Sequence, residues 1–189
     1  MVGFLRRWIP FHWTPASWGL VGNAYSEAEA HYRLEGEALE RSLAYIRRTD
    51  DPAALARELL DIEYRYGRIT EYDAALRRVE LDHPPGVERD LARLDVDYQH
   101  GKLDKFVYEK QRATLKNEPW IAIINSGFDP QQGIDGVFFE FDWNETWIEF
   151  LRSNGYSGRS DEQVIDEWFA DVCRSHGLND SVPFSARLD

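Results

Sequence analysis

The pattern of apolar and polar positions predicts helices over most of the chain. Between residues 27 and 48 the apolar side chains follow helical spacing, with Gly36 as a weak point. Ser26 and Glu29 have the spacing of a capping box, in which two side chains satisfy free amides at a helix start. We therefore expect one helix over 27–48 and a second helix that begins near Pro52.

The next stretch contains an internal repeat with an offset of 34 residues. Segment 60–82 begins with LDIEYRYGRI, and segment 94–116 begins with LDVDYQHGKL. In each copy a helix is expected to end before a glycine, Gly67 or Gly101, because glycine readily adopts the left-handed conformation that follows many helices. The repeat therefore predicts two copies of one structural unit.

Each unit is predicted to be a helical hairpin. Thr70 and Asp104 follow the two glycines at the position where a side chain caps the second helix. The sequence HPPG at 83–86 breaks the chain between the copies. We expect superposable hairpins over 52–81 and 88–116.

The first turn, YGRITEY at 66–72, resembles the SHOCT family of short helical hairpins. In that family a leucine-rich helix is followed by glycine, a branched apolar residue, threonine, an acid and an aromatic residue. The second unit departs from this pattern, since Asp104 and Lys105 replace the threonine and the acid. The resemblance implies an oligomerisation or interaction module without catalytic residues.

The last third changes from helical spacing to alternation. Residues 120–124 form a short apolar run that ends at 125–127, and at 137–143 aromatic residues alternate with acids, as in a half-buried strand. Two strands alone are marginally stable in water, so helices are expected to pack on them. These helices are expected over 144–154 and from Ser160 onward.

Together these patterns predict a mainly α fold with a small β element, in the α+β class. The predicted parts are an N-terminal extended arm over 1–25, tandem helical hairpins within 26–118, and an acidic module over 119–189. In that C-terminal module, a two-stranded hairpin is expected to pack on two helices.

The arm is rich in aromatic residues. Its tryptophans recur every five residues, which matches neither helix nor strand, and two prolines interrupt it. Three interpretations stay open: the tryptophans cover the core of their own chain, lie across a partner subunit, or insert shallowly at a membrane interface. The second interpretation predicts a partner-binding set of Trp8, Phe11, Trp13, Trp18 and Tyr25.

Charge adds a second hypothesis. The chain of 189 residues has 34 acidic and 22 basic side chains and a net charge of −12, which argues against a general nucleic-acid-binding protein. Residues 119–189 alone carry 13 acidic and 4 basic side chains. Such a surface either keeps the protein soluble or belongs to a decoy inhibitor that occupies the basic cleft of a nucleic-acid-binding protein. The acidic surface predicted on the last helix is Asp161, Glu162, Asp166, Glu167 and Asp171.

The sequence predicts no catalytic residue, cofactor or metal site. Cys173 and His176 alone are too few ligands for zinc, and the loop acids near 129–142 lack the spacing of a calcium loop. Glu140 and Asp142 share a strand face, but no matched acid or substrate cleft accompanies them. The sequence contains no phosphate-loop, dinucleotide-binding or nucleophile-elbow motif.

We therefore predict a non-enzymatic protein–protein interaction or assembly protein, which binds a protein partner or a second copy through the arm and does not bind nucleic acid directly. Its architecture resembles that of small accessory proteins of phages and other mobile elements, which implies a structural or accessory role. No apolar run approaches the ~18 residues of a membrane span. The start of the chain lacks the uninterrupted apolar core of a signal peptide, so we expect a cytoplasmic location or an assembled particle.

Overall fold

The structure, a computed structural model, describes residues 9–128 and 137–175. Within these ranges it contains eight α-helices and one two-stranded antiparallel sheet, which confirms the mainly α, α+β class. The elements are α1 (Gly22–Arg33), α2 (Gly36–Arg47), α3 (Pro52–Arg65), α4 (Glu71–Asp82), α5 (Val87–Gln99), α6 (Lys105–Leu115), β1 (Ile121–Phe128), β2 (Val137–Trp143), α7 (Glu145–Ser153) and α8 (Asp161–Ser175).

The chain divides into two compact units, residues 1–85 and 86–189. The division follows the predicted breaker at 83–86, so the second repeat belongs to the same unit as the C-terminal acidic module. The first unit contains α1 to α4, and the second contains α5 to α8 with both strands. Each unit is described by itself.

In the first unit, the predicted single helix over 27–48 is wrong. Leu34 and Glu35 separate α1 from α2, and Gly36 has a φ of +59° at the start of the second helix. This left-handed conformation, which glycine adopts without steric cost, reverses the chain so that α2 packs on α1. The start of α1 also differs from the prediction, because the Ser26 hydroxyl donates a hydrogen bond to the Gly22 carbonyl inside the helix.

The two predicted hairpins, α3–α4 and α5–α6, are both present and turn at the expected glycines. Gly67 has a φ of +66° and Gly101 a φ of +67°. In the first turn, the Gly67 amide donates to the Tyr64 carbonyl at 2.9 Å and the Arg68 amide donates to the Glu63 carbonyl at 2.8 Å. The second turn repeats both hydrogen bonds at 3.0 and 2.9 Å, so each helix ends in a Schellman motif.

The second helix of each hairpin begins at the predicted cap. The Thr70 hydroxyl accepts a hydrogen bond from the Asp73 amide at 3.1 Å. The Asp104 carboxylate does the same for the amides of Phe106 and Val107, at 2.9 and 3.1 Å. Local chemistry at the turn therefore fixes both hairpins.

In the second unit, β1 and β2 pair in antiparallel register from Ile121 opposite Trp143 to Phe128 opposite Val137. The predicted end of the first strand near Asn125 is wrong, because β1 continues to Phe128 after a β-bulge between Ile123 and Asn125. Pairing with the aromatic strand β2 overrides the weak strand propensity of the NSG sequence.

The core of the second unit lies where β2, α7 and α8 meet. Its buried residues are Phe141, Ile148, Leu151, Val164 and Ile165, and the partly buried Trp143, Trp147, Trp168 and Phe169 pack against them. This core confirms that the two strands pack on two helices. Asn144 ties the surrounding segments together, because its side-chain oxygen accepts from the amides of Trp120 and Trp147 at 2.9 and 3.1 Å.

Candidate functional site

The part of the arm that the structure describes is folded, which corrects the prediction of an extended segment. Two 3-10 turns, Phe11–Trp13 and Pro15–Ser17, precede α1. Only 1% of Phe11 is exposed, and its ring lies 5.3 Å from the ring of Tyr25 and 5.4 Å from that of Tyr32, between centroids. Phe11 therefore anchors the arm on α1 inside its own chain.

Two predicted partner-binding residues, Trp13 and Trp18, point away from this anchor. Their exposed fractions are 71% and 73%, so they do not cover the core of their own chain. Ile9 and Val21, at the two ends of the segment, are exposed as well. The predicted arm covers 1–25, but Tyr25 belongs to α1 and Trp8 lies outside the described residues. From here on we call residues 9–21 the aromatic arm.

The arm is held by hydrogen bonds in addition to the buried ring. The Thr14 hydroxyl donates to the Phe11 carbonyl at 2.7 Å, and the Ser17 hydroxyl donates to the Thr14 carbonyl at 2.8 Å. The hydroxyl of Tyr32 on α1 donates to the Ile9 carbonyl at 3.3 Å. The exposed indoles therefore project from a segment that contacts within its own chain hold in place.

The predicted acidic surface on α8 is largely engaged within the chain. The Asp161 carboxylate pairs with Arg152 of α7 at 2.7 Å. The Glu167 carboxylate accepts a hydrogen bond from the Ser157 amide at 2.7 Å, and that of Asp171 accepts one from the Tyr156 hydroxyl at 3.1 Å. Glu167 and Asp171 thus hold the segment before α8 in place, and Asp161 joins α8 to α7.

Asp166 does not lie on the outer face, which corrects its predicted position. It is half-buried, and its Oδ1 atom is buried without a hydrogen-bond partner among the described residues. Burial raises the pKa of the Asp166 carboxyl, and the nearby charge of Glu162 raises it further. Glu162 itself accepts a hydrogen bond from the Ser160 side chain, which lowers the pKa of its carboxyl.

In each hairpin, an aspartate, a tyrosine and an arginine that recur with the 34-residue offset lie close together. In the first hairpin, Arg78 of α4 pairs with Asp61 of α3 at 2.8 Å. The guanidinium carbon of Arg78 also lies 5.8 Å from the ring centroid of Tyr64, within the range of a cation–π contact. The cluster therefore joins the two helices of the hairpin at their surface.

The second hairpin has the same three side-chain types at the equivalent positions, but there they contact a fourth residue, Tyr108, which stands where the first hairpin has Ala74. The Tyr108 hydroxyl donates to Asp95 at 2.6 Å, and its ring stacks on Tyr98 with centroids 4.2 Å apart. Arg112 lies 5.9 Å from the same ring. Hydrogen bonding to Asp95 is the main cause that raises the pKa of Tyr108.

The sequence candidates for metal binding and acid–base chemistry lie on α8, on β2 and outside the described residues. In the part of the chain that the structure describes, no group of three or more His, Cys, Asp or Glu side chains has the arrangement of a metal site. Asp142 forms an ion pair with Lys110 at 2.6 Å, and Glu140 lies opposite Asn125 in the sheet. Cys173 is half-buried, whereas His176 and the loop acids at 129–136 lie outside the described residues.

Comparisons of this chain with family models, with curated proteins and with solved structures gave no significant match. Among the described helices, none combines the length and the apolar character that crossing a membrane requires.

Proposed function

We propose that this protein binds another protein through the aromatic arm and serves as an assembly or accessory component without enzymatic activity. One observation carries the proposal: Trp13 and Trp18 are 71% and 73% exposed on a segment that Phe11 anchors. Tryptophan is the residue most enriched among side chains that dominate binding energy at protein interfaces. Two exposed indoles on one ordered segment have the composition of an interface anchor.

The order of the arm increases the affinity it can provide. Immobilising a flexible loop on binding costs about 0.5–1.5 kcal/mol for each ordered side chain. Here the hydrogen bonds of Thr14 and Ser17 and the buried Phe11 ring hold the backbone before any partner arrives. Binding therefore does not have to order the arm backbone, and this cost is not subtracted from the free energy gained by burying the indoles.

Charge separates this proposal from the decoy hypothesis. Residues 9–21 contain no Asp, Glu, Lys or Arg, so binding through them is not expected to weaken as salt is added. A decoy needs acids that are available to a basic partner. Asp161, Glu167 and Asp171 instead make the contacts within the chain described above, which favours the arm over α8 as the binding surface.

Affinity capture with the full chain at low and at high salt tests the proposal. We expect the bound partner to stay bound at high salt, and to be lost by about tenfold or more in the variant Trp13→Ser/Trp18→Ser. Tyr45→Ser is the matched control, since it removes an exposed aromatic side chain of α2 that lies outside the arm. Capture that the arm variant leaves unchanged would overturn the proposal, and loss at high salt alone would favour the decoy.

A further inference from the structure

Each hairpin carries an open groove between its two helices, and the two grooves occupy equivalent positions of the repeat. Their volumes are about 330 Å³ in the first hairpin and about 350 Å³ in the second. The first groove is lined by Ala56, Leu59, Leu60, Glu63, Arg77 and Leu81, among others. The second is lined by the residues 34 positions later, namely Asp90, Arg93, Leu94, Asp97, Gln111 and Leu115.

The grooves have similar volumes but differ in chemistry, most clearly at two positions of their first helices. Ala56 and Leu59 of the first groove correspond to Asp90 and Arg93 of the second. The first groove therefore has an apolar floor, which the exposed Leu81 extends to its edge. We call it the apolar groove and its equivalent the charged groove.

We infer that the apolar groove receives the aromatic arm of a second copy of this chain, with Trp13 and Trp18 against its leucines. This inference rests on the proposed function and names the partner. The arm cannot fill the groove of its own chain while Phe11 anchors it on α1, because in that position both indoles are exposed to solvent. An indole and a leucine-lined groove match in chemistry, and their contact removes apolar surface of both from water.

Charge is compatible with the same occupant. At the rim of the apolar groove, Glu63 pairs with Arg77 of α4 at 3.0 Å and with Arg41 of α2 at 3.5 Å. The aromatic arm, residues 9–21, carries no Asp, Glu, Lys or Arg. It therefore brings no charge that burial in the groove would remove from water.

The arm and the apolar groove are different surfaces of one chain, so their contact is heterologous. Such contacts join copies head to tail in rings or longer chains, or close as a two-fold dimer when two copies exchange arms reciprocally. Each copy has a net charge of −12, so the copies repel one another while the contact itself is apolar. Added salt screens this repulsion and is expected to strengthen the assembly.

Complementation between two variants tests the inference. The groove variant is Ala56→Asp/Leu59→Arg, which introduces the residues that the second hairpin already holds at the equivalent helical positions. The arm variant is Trp13→Ser/Trp18→Ser. By sedimentation velocity, the wild-type chain should exceed its mass of 22.1 kDa as its concentration rises, and each variant alone should stay monomeric. An equimolar mixture should form a one-to-one dimer and nothing larger, because it contains one intact arm and one intact groove.

Circular dichroism and thermal unfolding check that each variant is folded, and Leu81→Lys, at an exposed position of the same groove, replaces the groove variant if it is not. A wild-type assembly without complementation in the mixture would show that another surface receives the arm. A monomeric wild-type chain at every concentration and salt level would overturn the inference. In both cases the proposed function still holds if the arm variant loses its partner in affinity capture, and fails if it does not.

Discussion

Phe11 and Trp13 stand two residues apart in one 3-10 turn, yet their exposed fractions are 1% and 71%. A 3-10 helix has about three residues per turn, so these two positions face different directions. One faces Tyr25 and Tyr32 of the same chain, and the other faces solvent. A single turn therefore combines a buried aromatic residue with an exposed one, to which we assign the proposed binding role.

The two residues are expected to respond differently to truncation. Phe11→Ala should lower the free energy of unfolding by about 3–5 kcal/mol, because it leaves a cavity between two aromatic rings. Trp13→Ala should change it by no more than about 0.5 kcal/mol, as is usual for an exposed side chain. Urea denaturation measures both, and equal losses would show that the indole belongs to the core. Deletion of residues 1–22 removes Phe11 as well, so it does not isolate the binding surface.

The turns of the hairpins provide a second prediction. Gly67→Val should destabilise the chain by about 1–2 kcal/mol, because a branched residue resists a φ of +66°. No atom lies within 4 Å of a Cβ added there, so the cost comes from the backbone and not from a clash. Gly67→Asn should cost less, since Asn117 adopts a φ of 54° in the turn after α6. Thermal unfolding of both variants checks this order, and an equal or larger loss for asparagine would contradict it.

Charge reversal at Glu167 of α8 should lower stability more than charge reversal at an ordinary exposed helix position. Glu167→Lys removes the acceptor of the Ser157 amide and should cost about 1 kcal/mol of stability. Glu167→Gln keeps an acceptor oxygen and should cost less, and Glu149→Lys on α7 is a control for the change in net charge. Thermal unfolding separates the three. A similar loss for Glu167→Lys and Glu149→Lys would mean that charge, not the hydrogen bond, sets the effect.

Replacing Asp166 by asparagine is expected to increase stability in a pH-dependent way. Because burial raises the pKa of Asp166 in the folded chain, the fold is more stable with this carboxyl protonated than with it ionised. That stability is present at low pH and is lost as pH rises through the folded pKa. Asp166→Asn should therefore raise the melting temperature at about pH 7, with little or no gain below the ordinary carboxyl pKa of 3.8. Melting curves of both proteins across this range test it, and a gain that persists at low pH would assign the effect to packing.

Local chemistry explains which parts of the fold the sequence predicts. The hairpins follow from Gly67, Gly101 and the caps at Thr70 and Asp104, each of which acts within a few residues of itself. The break before Gly36 is missed because a glycine alone is compatible with a weak helix and with a turn, and the packing of α2 on α1 decides between them.

Long-range contacts explain what the sequence does not predict in the candidate site. Phe11 and Trp13 are both aromatic residues of a proline-broken segment, and only Tyr25 and Tyr32 distinguish the buried one. The grooves are likewise formed by residues from two helices. Extending the repeat back to Leu59 and its equivalent, Arg93, would have revealed their difference in chemistry.

The central claim is that Trp13 and Trp18 are the side chains that binding buries, and fluorine NMR of 5-fluorotryptophan-labelled protein tests it most directly. Single substitutions assign the resonances, and unlabelled wild-type protein is then titrated in while sedimentation reports association. The account predicts that the resonances of Trp13 and Trp18 shift or broaden, while those of Trp147 and Trp168 in the core of the second unit stay unchanged. Association that leaves both arm resonances unchanged would contradict it.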